Sequence, residues 1–110
     1  MHAVGYLRVS TDQQGESGAG LEAQQRAISA EAERRGWIVR SYTDVASGKS
    51  TKRRPQLAAA LTELSEGRAH VLVVAKLDRL SRSLLDFAEL TARASREGWS
   101  IVALDIGVDT

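Results

Sequence analysis

The sequence predicts a three-layer α/β/α fold, with helices on both faces of a mainly parallel four-stranded sheet. Three observations carry that prediction. Short apolar runs containing β-branched residues recur at residues 3–9, 37–42, 70–75 and 100–104. Between them lie stretches whose apolar residues repeat at helical spacing. Each of these stretches closes on a glycine, at Gly36, Gly67 and Gly98. Regular alternation of strand and helix requires crossover connections, which give parallel pairing and right-handed turns.

The first strand covers residues 3–9 and leads into a polar, glycine-rich loop at residues 13–20. A helix fits residues 21–35, with Leu21, Ile28 and Ala32 on one stripe and Gly36 at the C-cap. The second strand takes residues 37–42, and a polar loop follows over residues 43–54. Pro55 suits the first turn of a second helix that buries Leu57, Leu61 and Leu64 and stops at Gly67. The third strand, residues 70–75, is the most apolar, through Val71, Leu72, Val73 and Val74. After a polar stretch at residues 76–82, Ser83 with Asp86 forms a capping pair for a third helix ending at Gly98. Residues 100–104 form the fourth strand.

Composition bounds the function without choosing it. A chain of 110 residues, 43% hydrophobic and 26% charged, fits one domain, residues 1–110, with a real core. The net charge of +1 does not argue for a polyanionic partner, so a nucleic-acid case must rest on where charges sit. The absence of cysteine excludes disulfides, thiolate metal sites and a cysteine nucleophile. His2 and His70 lack metal-ligand spacing and read as structural or solvated, so no metal is expected. No stretch approaches the ~18 apolar residues of a membrane span, and the opening apolar run is broken by Arg8. A soluble cytoplasmic domain without membrane contact is the expectation.

The first strand carries the unusual chemistry. Side chains two apart share a face, so Tyr6, Arg8 and Ser10 line up while Gly5, Leu7 and Val9 point the other way. A central parallel strand is normally apolar on both faces, and a guanidinium there needs a charged partner or an anionic ligand. The plainer alternative is an edge strand with solvated polar residues. The other polar residues favour a ligand, because such sheets bind ligands beyond the C-terminal strand ends. Ser10 ends the first strand, Asp44 lies just past the second, and Asp78 and Arg79 lie just past the third. Arg54 and Arg82 stand at or near helix entries, where backbone N–H groups also favour anions.

Arginines gathered around one serine point to phosphodiester or phosphoryl chemistry, since the planar guanidinium fork matches phosphate oxygens. A serine hydroxyl is a weak nucleophile until a base or a positive field activates it. No histidine is placed for a triad, and the glycines of residues 15–20 lack the Gly-Lys-Ser/Thr of a phosphate-binding loop. Charge from Arg8, Arg79 and Arg82 can instead favour the alkoxide and stabilise the transition state, with no cofactor.

Tyr6-Leu7-Arg8-Val9-Ser10-Thr11-Asp12-Gln13-Gln14, with Leu77-Asp78-Arg79-Leu80-Ser81-Arg82, resembles the N-terminal catalytic domain of the serine recombinases, the resolvase and invertase family. Asp44-x-x-Ser47-Gly48 and Arg54-Pro55-x-Leu57 add spaced matches, and the resemblance spans essentially the whole chain. It implies a resolvase-like sheet and a site-specific recombinase that cleaves and rejoins double-stranded DNA. It implies that Ser10 is the nucleophile forming a 5′-phosphoserine linkage, with Arg8, Arg54, Arg79 and Arg82 as active-site arginines and Asp78 as active-site carboxylate. Tyr6, Gln14, Gln24 and Asp44 take supporting positions. Family members continue into a long dimerisation helix and a separate DNA-binding domain. The resemblance therefore implies a homodimer that becomes a tetramer in the synaptic complex, a nucleoid-associated parent, and a chain that is one part of it.

Simpler readings stand beside these. Gln24 interrupts an apolar stripe and also reads as a boundary residue. Asp78 and Arg82, four apart, also fit a helical ion pair. Lys49, Lys52, Arg53 and Arg54 could be a solvated loop; beside a phosphate-binding rim, Lys52 and Arg53 read as contacts tracking the DNA backbone. Trp37 and Trp99 each follow a helix-ending glycine and read as packing residues. Two other functions remain open from sequence: a non-catalytic remnant that binds DNA or dimerises, and a flavodoxin-like binder of a small ligand.

Overall fold

The computed structural model describes residues 1–10, 19–46, 54–80 and 84–109, with backbone alone at Ser10, Ala19, Ala46, Asp78, Arg79, Leu84 and Val108. Its elements are β1 (His2–Ser10), α1 (Ala19–Arg35), β2 (Ile38–Ala46), α2 (Pro55–Ser65), β3 (Val71–Val74), α3 (Leu77–Leu80), α4 (Leu84–Glu97), β4 (Ser100–Ala103) and β5 (Val108–Asp109). The strands lie in the order β2-β1-β3-β4-β5. The first four pair in parallel, and β5 adds an antiparallel edge against Val102 and Ala103.

Strand parity divides the core into two layers. Val4, Tyr6, Leu72, Val74, Ile101 and Ala103 face α2 and α4, meeting Leu57, Ala60 and Leu64 on one helix and Leu90 and Ala94 on the other. Ala3, Leu7, Val71, Val73 and Val102 face α1 through Ile28. Both faces of β1 and β3 are thus covered, which is why these strands are apolar without alternation over most of their length. Helix α1 comes unusually close to β1 at Gly5, where a Cβ atom would lie 3.0 Å from Ile28 Cγ2. The absent side chain sets that helix-to-sheet distance.

One strand end and two additional elements depart most from the sequence expectation. Strand β2 continues four residues beyond Tyr42, so Asp44 lies within the strand and not past it. Thr43 and Asp44 look like loop residues, but β1 pairs with β2 out to the register Ser10↔Ala46, and Asp44 finds buried partners. The polar stretch after β3 contains the four-residue helix α3. The sheet gains β5, whose two residues are too short to show a period. In α2, Ala60 takes the fully buried place and Leu61 only borders the core.

The helix ends follow the expected chemistry. Gly36 and Gly98 adopt φ of +72° and +80°, the left-handed conformation that glycine enters without a steric penalty. Both tryptophans pack as expected. Trp99 is buried and its Nε1 donates to Glu97 at 2.9 Å, while the Arg35 guanidinium lies 4.8 Å from the Trp37 ring centroid. Ser83, the expected capping partner of Asp86, lies outside the described residues.

Candidate active site

The connection from β1 through α1 reaches β2 on one side, and the return through α2 reaches β3 on the other side and the opposite face. Strand order therefore reverses at β1, and the crevice beyond the C-terminal ends of β1 and β3 is the expected ligand position. β1 ends there at Ser10, and α3, carrying Asp78 and Arg79, follows β3.

Three polar side chains are buried in the described structure, and all three belong to this end: Arg8, Gln24 and Asp44. Arg8 is 5% exposed and neighbours Asp44 in the β1–β2 register, on the face that carries Tyr6. The edge-strand reading of β1 is thereby excluded, since β1 lies between β2 and β3.

Asp44 organises one side of the site. Its Oδ2 accepts the Tyr6 hydroxyl at 2.8 Å and the Leu57 N–H at 3.1 Å, and its Oδ1 accepts the Gln56 N–H at 3.0 Å. Gln56 and Leu57 follow Pro55 in the first turn of α2, and Arg54 at the N-cap makes no side-chain cap. Asp44 therefore caps α2 from a neighbouring strand, placing a carboxylate at the positive end of the helix. Burial, then the hydrogen bond to Asp44 and its charge, raise the Tyr6 phenol well above the ordinary tyrosine range. The charges of Arg54 and Arg8 push the other way, which puts both guanidinium groups within electrostatic reach of the Tyr6 ring.

Gln24 organises the other side. The His70 N–H donates to the His2 carbonyl, so the even-numbered peptide groups of β1 point toward β3. β3 ends at Val74, opposite Tyr6, and the Arg8 peptide group looks past the last rung of that ladder. Gln24 takes the vacant position: its Nε2 donates to the Arg8 carbonyl and its Oε1 accepts the Arg8 N–H, both at 3.3 Å. A buried amide satisfies two backbone groups that would otherwise be orphaned.

Arg54 is half-buried and joins three elements. It donates through Nη1 to the carbonyl of Leu80, the last residue of α3, and its Nη2 lies 3.5 Å from Asp86 Oδ2 at the start of α4. Of the expected site residues, Tyr6, Arg8, Gln24, Asp44 and Arg54 are thus gathered at one end of the sheet. The backbones of Ser10, Asp78 and Arg79 lie on elements that end or begin there. Gln14, Lys52, Arg53 and Arg82 lie outside the described residues. Asp86 was legible only as a helix-capping acid, because its approach to a residue 32 positions earlier has no local signal.

A cleft of about 500 Å³ opens at the other end of the sheet, between His2, Val4, Arg40, Glu63 and Arg68. Glu63 there is already engaged by Tyr42 and Arg40, each at 3.0 Å, and by Arg68 at 2.6 Å. It lies at the N-terminal strand ends, away from the crevice where such sheets bind ligands.

The family profile described as "Resolvase, N terminal domain" matches residues 3–110. The chain belongs to this resolvase family. The resolvase domain is 34% identical to the Transposon Tn3 resolvase of Escherichia coli over 110 residues, all of this chain and 54% of that protein. It is 35% identical over 107 residues to a DNA-invertase of Enterobacteria phage P7, covering 97% of this chain and 50% of that one. Among solved structures, the N-terminal catalytic domain of TP901-1 integrase superposes with a TM-score of 0.87 at 29% identity. That match covers all of this resolvase domain and 82% of the integrase chain. The chain spans about half the length of the curated relatives it matches.

Proposed function

We propose that this resolvase domain is the catalytic domain of a site-specific DNA recombinase that cuts and rejoins duplex DNA through a phosphoserine intermediate. The observation that carries the reading is Arg8, a buried guanidinium beside the Tyr6–Asp44 pair at the switch-point crevice, two residues before Ser10. Its relatives include a resolvase, a site-specific recombinase and a DNA-invertase, which supports DNA as the substrate.

In the proposed reaction the Ser10 Oγ attacks a backbone phosphorus, the Oγ–P bond forms and the P–O3′ bond breaks. The serine proton is lost to the medium or a nearby base, and the leaving O3′ gains one. The products are a 5′-phosphoserine and a 3′ hydroxyl, and attack by a 3′ hydroxyl on the phosphoserine reverses the step. Bond energy is conserved in the ester, so no nucleotide is consumed. Arg8, Arg54, Arg79 and Arg82 stabilise charge on the phosphate oxygens, where bidentate forks are most effective. Asp78 and Gln14 support the reacting groups, and Lys52 and Arg53 track the DNA backbone. Tyr6, Asp44 and Gln24 hold β1 and α2 in place. The working enzyme is a homodimer that pairs into a tetramer at synapsis, acting in the cytoplasm on the nucleoid. Among the described residues no helix is long and apolar enough to cross a membrane.

The test uses the full-length gene product and a DNA duplex that it cleaves. Ser10→Ala abolishes the covalent protein–DNA adduct and leaves DNA binding nearly unchanged, since the hydroxyl is small and acts in chemistry. Addition of a chelator leaves cleavage intact. An adduct that persists in Ser10→Ala moves the nucleophile to another residue, with Ser47 and Ser81 next in line, and loss of cleavage on chelation replaces the arginine mechanism.

A further inference from the structure

We infer that Asp86 is a positioning residue for the reaction, holding the Arg54 guanidinium in the orientation that meets the phosphate. The inference rests on the proposed role of Arg54 and adds a residue that the sequence offered only as a helix cap.

Arginine is long and, at a helix entry facing solvent, would sample many rotamers. Here its two terminal nitrogens are divided between two elements: Nη1 donates to the Leu80 carbonyl and Nη2 approaches Asp86 Oδ2 at 3.5 Å. The two acceptors have different chemistry. The Leu80 carbonyl is fixed by the backbone at the C-terminus of α3, where the helix dipole favours a cation. Asp86 supplies the charge and, from the first turn of α4, fixes the rotation of the guanidinium plane about that anchor. Five N–H donors radiate from a guanidinium, so two such contacts leave three for a ligand. A fork aligned in advance loses less conformational freedom when phosphate arrives.

Stability alone does not account for the pair. The Arg54 and Asp86 side chains are 23% and 35% exposed, and ion pairs with that access to water contribute little to folding. The orientation, by contrast, acts on a group that is part of the proposed chemistry. In sequence, Leu80 and Asp86 also flank Arg82, so the contact ties Arg54 to the stretch carrying the other arginines.

The test is a double-mutant cycle between Asp86 and Arg54, read as the rate of covalent adduct formation by the full-length gene product at saturating DNA. Asp86→Asn keeps the shape of the side chain and removes its charge. It should slow adduct formation by about tenfold or more, with DNA affinity and Tm close to wild type. Asp86→Glu, which restores the carboxylate, should recover a large part of the rate. In the Arg54→Ala background, Asp86→Asn should have no further effect, because the group it positions is gone. A wild-type rate for Asp86→Asn, or equal slowing with and without Arg54, overturns the inference and leaves Asp86 a helix-capping acid. A wild-type rate for Arg54→Ala overturns instead the reading of Arg54 on which it rests.

Discussion

The Tyr6 hydroxyl donates to Asp44 Oδ2 at 2.8 Å, across the boundary between two strands and at the mouth of a helix. One carboxylate therefore answers three donors, one from β1 and two from the first turn of α2. Asp44→Ala leaves a buried hydroxyl and two helix N–H groups without it, and should destabilise the domain by about 2–4 kcal/mol. Asp44→Asn retains an acceptor oxygen and should cost distinctly less. Urea unfolding of both variants checks the order, and equal losses would count against a capping role.

Tyr6 also sets a limit at alkaline pH. Burial and Asp44 hold its phenol protonated to higher pH in the folded state than in the unfolded chain. The unfolded state releases the proton first, so this contribution is complete below pH ~10 and declines as pH rises further. Stability should fall above that pH, and Tyr6→Phe should flatten the fall. In a Tyr42→Phe variant, tyrosinate absorbance should show the Tyr6 phenol ionising only above the ordinary tyrosine range; a phenol at Tyr6 that titrates in the ordinary range contradicts this.

Glu63 acts at the other end of the pH scale and the other end of the sheet. The hydrogen bond from Arg68, and then that from Tyr42, lower its carboxyl below the usual glutamate range. A depressed carboxyl stabilises above its unfolded value, ~4.3, and that contribution is lost as pH falls through the folded value. Glu63→Gln should lower Tm modestly near neutrality and make its fall less steep below that point, so that the two proteins converge across an acid series. An unchanged acid profile would dismiss the cluster as a folding determinant.

A Cβ atom added at Gly5 would lie 3.0 Å from Ile28 Cγ2, tighter than ordinary van der Waals contact. Gly5→Val drives added atoms into Ile28 and should cost about 1–3 kcal/mol by overpacking. Ile28→Ala removes a fully buried side chain and should cost about 2–5 kcal/mol by leaving a cavity. Because the two touch, combining Gly5→Val with Ile28→Ala should cost less than the sum of the separate losses. Additive losses would mean that the contact does not set the spacing.

The sequence already showed most of this architecture wherever a period ran long enough. The alternation along β1 placed Tyr6 and Arg8 on one face, and glycines marked the helix ends. What stayed hidden depended on partners far along the chain. Thr43 and Asp44 look like loop because burying a carboxylate makes sense only once Tyr6, 38 residues away, and the α2 N–H groups are in place. Gln24 read as a blemish in an apolar stripe until the missing rung beside Arg8 explained it. Arg54 was named in sequence as a candidate site arginine, but its bond to Leu80 and its pairing with Asp86 required the fold.

On the edge toward β3, the amide of Gln24 gives the end of β1 a neighbour that is a side chain and not a strand. A strand lets go only by unzipping, rung after rung, and takes the sheet with it. A side chain releases two bonds by turning about its own torsions, while residues from Ala3 to Tyr6 stay paired with β3. The last residues of β1 are thus held unequally, by the β2 ladder on one edge and by two side-chain bonds on the other. Opening of that second edge alone leaves the Ser10 backbone anchored through its pairing with Ala46.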